Sequence, residues 1–251
     1  MTMRNSDNIM QTKNTNPVAV EGIWQELVEL VNQQFETPPF QRLLALRFSQ
    51  ARAQALSIQM KHYVANRRDC WGFVAGAAPL GVKRLVWEHE GEELMGDKDA
   101  GKVDHITLAI QEGKVFGLAP DDYERARPLD AATACFYAWI HLAKDRPWRE
   151  AIAASAILEM RNSDEIVRDG SLSHRVGKNL ERDLGIPLRQ QVNNVEHITM
   201  DVEHGQLLLA VAREFCHTTE HQQALLRGAR ESLVIDRAYR EQLANMMAAL
   251  D

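Results

Sequence analysis

Features that define several large protein classes are scarce or missing in this sequence. Its 251 residues include only three cysteines, Cys70, Cys135 and Cys216, which lie far apart and form no C-x-x-C pair. Reduced cysteines, as in a cytoplasmic protein, are therefore predicted. No apolar run approaches the roughly 20 residues that cross a bilayer, and aromatic residues, at 6% of the chain, are too scattered for a surface that stacks nucleic-acid bases. We predict a cytoplasmic protein that does not enter a membrane.

An excess of positive charge is also absent. The formal net charge is −6 and the pI is near 5.9, which argues against a nucleic acid or an anionic membrane as the partner. The sequence contains no G-x-G-x-x-G, G-x-x-x-x-G-K-[ST] or G-x-S-x-G motif, so nucleotide-binding folds and serine hydrolases are disfavoured. A small-molecule substrate is the expected partner. Met246 and Met247 are interpreted as a core or dimer contact, and a homodimer is predicted.

Helical periodicity is what the sequence does contain. Apolar residues recur at helical spacing and nothing alternates with period two over more than a few residues, so the predicted fold class is all-α. Residues 1–16 are polar and lack the apolar segment of a secretory signal, which predicts a disordered leader. Residues 17–251 are predicted to form a single helical domain. Helices are predicted at 18–36, 40–71, 82–94, 105–117, 130–144, 148–168, 172–184, 188–217 and 220–250.

The most informative segment lies in the predicted helix 188–217. At roughly 100° per residue, His197, Asp201 and His204 fall at about 0°, 40° and −20°, so all three project from one stripe. The stripe continues into Leu208 and Val211, which indicates that it faces the core. Buried histidine and aspartate need partners, and two imidazoles with a carboxylate suit iron or manganese better than calcium. The alternative is a polar helix face that is rich in histidine.

Further ligands have to come from other helices. Glu159 follows Ile152 and Ser155 on a face of apolar and small residues, where a carboxylate is costly to bury unless it is paired or bound to a cation. The alternative is that Glu159 reaches water at the end of its helix. His105 opens a helix just after the loop at 96–101 and is either a ligand or a surface or capping residue.

Several acids follow the apolar start of the helix predicted at 82–94. Glu88 and Glu92 share one face of that helix, while Glu90 lies about 160° away from Glu88. Leu85 marks the shared face as the buried one. Glu88 is therefore predicted to point inward as the ligand, with Glu92 as the second choice and Glu90 as the third.

Together these motifs resemble those of the heme-oxygenase-like diiron oxidases and oxygenases. The wider superfamily also holds thiaminase-II-like and pyrroloquinoline-quinone-synthase-like proteins. The resemblance runs from about residue 40 to residue 217 and implies a heme-oxygenase-like bundle of about seven to nine helices. It also implies six metal ligands, which are Glu88, His105, Glu159, His197, Asp201 and His204. Because the loop at 96–101 resembles an insertion, Glu90 and Glu92 stay open as the first ligand.

The function implied by this resemblance is oxidation or oxygenation of a small organic substrate by O2. The implied cofactor is two iron ions, with manganese as an alternative, and no catalytic residue is predicted beyond the ligands. Two other functions stay open on the same fold. One is a metal-free enzyme, either a cofactor-ring oxidase or a thiaminase-like hydrolase that uses Cys135, and the other is a non-enzymatic binding protein. His62, Arg67 and Arg68 are interpreted as part of an anion-binding pocket or as an exposed basic patch.

Overall fold

The computed structural model describes residues 17–96 and 101–250, and for 17–19 and 199–203 it describes the backbone only. Within these ranges the chain forms twelve α-helices, two short 3-10 helices at Lys114–Phe116 and Leu188–Gln190, and no strand, which confirms the all-α prediction. The helices are α1 (Pro17–Gln34), α2 (Pro38–Ala45), α3 (Gln50–Ala77), α4 (Leu80–Met95), α5 (His105–Gly113), α6 (Pro120–Arg125), α7 (Asp130–Asp145), α8 (Trp148–Met160), α9 (Leu172–Leu184), α10 (Val192–His204), α11 (Leu207–Phe215) and α12 (Thr219–Ala248). None of the described helices is both long enough and apolar enough to span a membrane. The predicted leader at 1–16 lies outside the described residues.

Local sequence signals set several of the helix ends. Pro38 occupies the first position of α2, where its missing N–H would have no partner within the helix. The side chains of Ser49, Asp104 and Ser171 each accept a backbone N–H in the first turn of the following helix, as N-capping residues do. Gly185 ends α9 in the left-handed conformation, with φ of 67°, which glycine adopts without steric cost. The predicted bounds of 172–184 for this helix are confirmed.

The expected seven to nine helices are too few, because two predicted helices are each divided and one helix is not predicted. The segment predicted as one helix at 40–71 is interrupted at 46–49, between α2 and α3. The predicted helix at 188–217 is interrupted at Gly205 and Gln206, between α10 and α11. Glycine costs a helix about 1 kcal/mol relative to alanine, so a break at Gly205 is consistent with its local propensity. Helix α6 has no counterpart in the predicted set.

Helix α8 lies at the centre of the bundle. All residues from 150 to 160 are buried, and the helix packs against α1, α3, α7, α10, α11 and α12. Several alanines on α8 let its neighbours approach closely. One close approach is at Gly228 of α12, where a Cβ atom would lie only 2.1 Å from the carbonyl oxygen of Glu150. A helix that is enclosed on all sides also buries its polar residues, and Glu159 is one of them.

A buried ionic network joins α8 and its C-terminal end to α3 and α12. Asp236 of α12 is fully buried and accepts a hydrogen bond from Nε of Arg240 at 3.0 Å. Its other carboxylate oxygen lies 3.3 Å from Nε of Arg161. Arg161 in turn donates to the hydroxyl of Tyr63 on α3 at 2.8 Å. This network holds two arginines in the wall of the cavity described below.

Candidate metal centre

Helix α4 directs polar side chains as well as apolar ones into the core. Its buried residues are Val82, Val86, His89, Glu90 and Glu93. Glu88 is exposed, so the prediction that it points inward is wrong. The predicted stripe starts from Leu85, which is only partly buried, whereas the buried stripe includes the next residue, Val86. A shift of one residue turns a helix by about 100°, and this shift exchanges Glu88 and Glu92 for His89 and Glu93.

The two ends of the loop between α4 and α5 are in contact. Gly96 ends α4 with φ of 63°, and a Cβ atom at this position would lie 2.4 Å from the carbonyl oxygen of Lys102. Only glycine fits this combination of conformation and close approach. His105 therefore follows α4 closely in space, and its Nδ1 lies 2.8 Å from Oε2 of Glu93. His105 is 3% exposed, so the alternative that it is a surface residue is wrong.

Helix α10 carries His197 in its middle and His204 as its last residue. Glu112 of α5 holds the first turn of this helix, because its Oε2 accepts the backbone N–H groups of Asn193 at 2.8 Å and Asn194 at 2.9 Å. A carboxylate at this end also interacts favourably with the helix dipole. The His197 ring lies edge-on to that of His105, with ring centroids 4.9 Å apart. Helix α10 is thus anchored at one end and presents a histidine to the start of α5.

His89, Glu93 and His204 form a buried cluster in which one possible ligand atom from each residue lies within 4.8 Å of the others. Nδ1 of His204 lies 3.5 Å from Oε1 of Glu93, and its Nε2 lies 2.9 Å from Oε2 of Glu92. Nδ1 of His89 lies 3.1 Å from Oε1 of Glu90. Imidazole ligands commonly bind a metal with one nitrogen and donate the other N–H to a carboxylate. Both histidines have such a carboxylate beside them.

Glu159 reaches the same region from α8. It is 6% exposed, which confirms its predicted burial and contradicts the alternative in which it reaches water. Together with Glu93 and His197 it lines a cavity of about 50 Å³. The structure therefore brings four of the six predicted residues, His105, Glu159, His197 and His204, to one buried region.

The protonation states around the cluster follow from burial and from one arginine. Burial alone would raise the pKa of Glu93, but the charge of Arg68 and the hydrogen bond with His105 outweigh it and hold that pKa well below its ordinary value. Burial lowers the pKa of His89 to about 4. Burial also raises the pKa of Glu90 to about 7, although Arg68 opposes this effect. An ionised Glu93 and a neutral His89 are the forms that bind a divalent cation.

The donors in this region fit a transition metal. Carboxylates and imidazoles in combination suit iron and manganese. Nε2 of His89 is buried and has no hydrogen-bond partner among the described residues, which a metal ion would satisfy. Arg68 donates to Glu93. Its positive charge offsets the negative charge of this carboxylate, as a bound divalent ion would also do. The side chain of Asp201, the remaining predicted ligand, lies outside the described residues.

His89 and Glu93 are not among the ligands predicted from the sequence. A signal for both is present, because Val82, Val86, His89 and Glu93 recur at spacings of four, three and four residues, which is the pattern of a buried helix face. Leu85 competes with Val86 as the marker of that face, and the sequence does not distinguish them.

Comparison with known proteins identifies the family of this chain. A family described as iron-containing redox enzymes matches residues 54–237. The chain therefore belongs to this family of iron-containing redox enzymes. A search of curated proteins finds no match.

Solved structures show the same fold. A CADD-like protein of unknown function from Nostoc punctiforme is 18% identical, with a TM-score of 0.72, and the match covers 93% of this chain and 100% of that one. A domain of unknown function with a heme oxygenase-like fold, from Shewanella denitrificans, is 15% identical, with a TM-score of 0.70 and coverage of 90% and 92%. Together with the family match, these similarities confirm the predicted resemblance and the heme-oxygenase-like fold.

Proposed function

We propose that this protein is a non-heme diiron oxidoreductase that uses O2 to oxidise a small organic substrate. The observation that supports this most strongly is the position of Glu93 in a chain of the iron-containing family. One of its oxygens lies 2.8 Å from Nδ1 of His105 and the other 3.5 Å from Nδ1 of His204. Glu93, His105 and His204 would hold iron through these oxygen and nitrogen atoms, which are donors that iron binds.

The proposed ligands are Glu93, His105, Glu159, His197, Asp201 and His204, with His89 as a further candidate. Glu93 takes the position that the sequence assigned to Glu88. Asp201 is included on the family resemblance and on its spacing along α10. His89 is added because its Nε2 is buried without a hydrogen-bond partner among the described residues.

Iron bound at this site would supply the electrons that reduce O2, and the chain's own residues would orient and shield it. Glu90 and Glu92 lie beside the N–H groups of His89 and His204 and so orient the two imidazoles. Glu112 holds α10 in place by its first turn. The enclosing helices exclude bulk water, and in such surroundings charged groups interact more strongly than in water.

The hydrolase alternative has no support at the cysteine it requires. Cys135 is 7% exposed, and burial raises the pKa of its thiol, whereas a nucleophilic cysteine has a lowered pKa. A cytoplasmic location and a homodimer remain predictions from the sequence.

Anaerobic titration of the metal-free protein with ferrous ion, followed by addition of O2, tests the proposal. We expect two equivalents to bind and O2 to be consumed as the iron is oxidised. His204→Ala should bind fewer equivalents and consume O2 slowly. His141→Ala, which changes a histidine on the exposed face of α7 with a side chain 60% exposed, is the matched control and should behave as the wild type. Failure of the wild type to bind ferrous ion, or binding without O2 consumption, would contradict the proposal.

A further inference from the structure

A surface groove lies between α3 and α4, next to the candidate metal centre. Its volume is about 410 Å³, and its wall on α4 includes Val86, Trp87 and Leu94. Trp87 is 68% exposed, so its indole ring is open to a ligand. On the α3 side the groove is lined by Gly72 and Gly76, where a Cβ atom would meet no atom of the described residues within 4 Å. The groove is therefore an open space with mainly apolar walls.

The cavity at the metal centre is much smaller than this groove. Its volume of about 50 Å³ is well below the roughly 300–1,000 Å³ of pockets that hold organic ligands. The groove, at about 410 Å³, falls within that range. The cavity alone is therefore too small to enclose an organic substrate of ordinary size, whereas the groove is large enough for the bulk of one.

Arg68 lies between the two spaces. Of all the residues that the structure describes, it is the only one that lines both the cavity and the groove. Its Nη1 atom is paired with Glu93, which lines the cavity. The same atom lies 3.2 Å from Oε1 of Glu90, which lines the groove. The guanidinium group thus joins a carboxylate on each side and closes the way from the groove to the metal centre.

This arrangement lets Arg68 move without losing all of its partners. A buried charge that loses its only partner is strongly destabilising, but Arg68 keeps Glu90 when its contact with Glu93 breaks. Glu93 in turn keeps Nδ1 of His105, which lies 2.8 Å from its Oε2. A change of the Arg68 rotamer that breaks only the contact with Glu93 would join the two spaces.

We propose that the groove binds the bulk of the substrate and is its entrance to the metal centre, and that Arg68 controls the passage. The substrate class is an organic molecule with an apolar body that is too large for the cavity, so that only its reacting end passes Arg68. The inference rests on the proposed function for the reaction at the metal centre. The route itself is formed by the chain and can be tested without metal.

Labelling of a cysteine placed in the cavity measures passage along this route in the metal-free protein. Glu159→Cys supplies the reporter, because Glu159 lines the cavity. The probe is N-phenylmaleimide, a neutral thiol reagent with an apolar ring. The native cysteines Cys70, Cys135 and Cys216 are buried, and their labelling is measured in the wild type and subtracted.

Gly72→Leu and Gly76→Leu, each combined with the reporter, place a side chain in the groove from positions where a Cβ atom fits. We expect labelling to be at least about ten-fold slower in each, which corresponds to a barrier about 1.4 kcal/mol higher. Gly22→Leu is the matched control on α1, since a Cβ atom there also meets no described atom within 4 Å, and it should leave the rate unchanged. Arg68→Ala removes the closing side chain and should make labelling faster.

Unchanged labelling in either Gly72→Leu or Gly76→Leu would overturn the inference, and so would an equal slowing by Gly22→Leu. Labelling that is no faster in folded Arg68→Ala would also overturn it. Should Arg68→Ala fail to fold, the glycine variants decide the question.

A second reporter, His197→Cys, lines the same cavity and replaces Glu159→Cys if that variant does not fold. The labelling result is independent of iron. Slower labelling in both groove variants of a protein that binds no iron would support this inference while contradicting the diiron proposal. Unchanged labelling in a protein that binds two ferrous ions would contradict this inference alone.

Discussion

Glu88 and Glu93 lie on the same helix and have opposite surroundings. Glu88 is exposed, whereas the Glu93 side chain is 2% exposed and contacts Arg68, His105 and His204. Burying an ionised carboxylate is costly unless cations or donors surround it. The surroundings of Glu93 meet this condition, which is why a metal ligand is proposed there.

Replacing Glu93 with Gln should weaken iron binding while keeping the shape of the side chain. We expect the second ferrous ion to bind about ten-fold more weakly or worse, because the change removes a charged ligand, and changes even in groups that only support a ligand cost about 10–100-fold. Anaerobic titration measures the affinity. Glu88→Gln is the matched control on the same helix and should have no effect. A loss of iron in Glu88→Gln with full binding in Glu93→Gln would show that the assignment is wrong.

The aromatic ring of His89 and its ring nitrogens can be tested separately by one substitution. Its ring packs against that of Trp71, with centroids 4.6 Å apart, and its Nε2 is buried next to the cluster. His89→Phe keeps an aromatic ring against Trp71 but removes both nitrogens. We expect the fold to survive and the iron affinity to fall about ten-fold, as measured by competition with a chelator. Unchanged affinity would mean that His89 only packs.

At the scale of helices, α10 depends on a carboxylate that α5 supplies. Glu112 is buried, and its Oε2 accepts two backbone N–H groups from the start of α10. Burial raises the pKa of Glu112 to about 7, although the hydrogen bonds from Asn194 and Asn193 act against this rise. The contact thus links the position of His197 and His204 to the protonation of a residue on another helix.

The raised pKa of Glu112 predicts a pH dependence of stability. Between pH 4.5, where the carboxyl titrates in the unfolded chain, and about 7, the folded protein keeps a proton that the unfolded chain has lost. The free energy of unfolding should therefore fall as the pH rises through this window, by up to about 3 kcal/mol. Glu112→Gln has no carboxyl group to titrate, so its free energy of unfolding should fall less steeply with pH. Urea unfolding of the metal-free proteins between pH 5 and 8 measures the difference, and equal slopes would contradict the expectation.

At the scale of the whole molecule, the close packing of α8 against α12 holds the bundle together. Gly228 lies directly on the backbone of Glu150, and Ser232 on the same helix donates to the carbonyl oxygen of Ala154 at 2.6 Å. These contacts leave no space for a larger residue at position 228. These contacts thereby fix the position of α8, which carries Glu159, relative to the helices that carry the other proposed metal ligands.

Gly228→Ala should destabilise the fold, because the added Cβ would lie 2.1 Å from a backbone oxygen that cannot rotate away. We expect a loss of about 1–3 kcal/mol, as for other overpacked cores, measured by urea or thermal unfolding. Gly72→Ala is the control, since a Cβ at Gly72 meets no atom within 4 Å and alanine favours a helix interior by up to about 1 kcal/mol. Equal stability of Gly228→Ala and the wild type would show that the two helices can separate at no cost.

Much of the fold follows from local patterns in the sequence. The helical spacing of apolar residues predicts the all-α class, and Ser171 and Gly185 mark the ends of α9 by their capping chemistry. The spacing of His197 and His204 places both on one stripe whatever surrounds the helix. Periodic spacing and helix capping are local properties, which explains why the all-α class and the bounds of α9 are confirmed.

The sequence by itself thus determined the helical class, the family and the histidine stripe of α10, because each depends on residues close together along the chain. Only the tertiary structure decided which face of α4 is buried. Large apolar residues of α4, such as Trp87 and Met95, are exposed, so hydrophobicity alone does not mark the inner face of this helix. The tertiary structure also decided that His105 contacts Glu93 across the loop that begins at Gly96. It further decided that Arg67 and Glu159 line the same cavity. Burial and contact are set by neighbouring helices that are distant along the chain, and no local pattern contains that information.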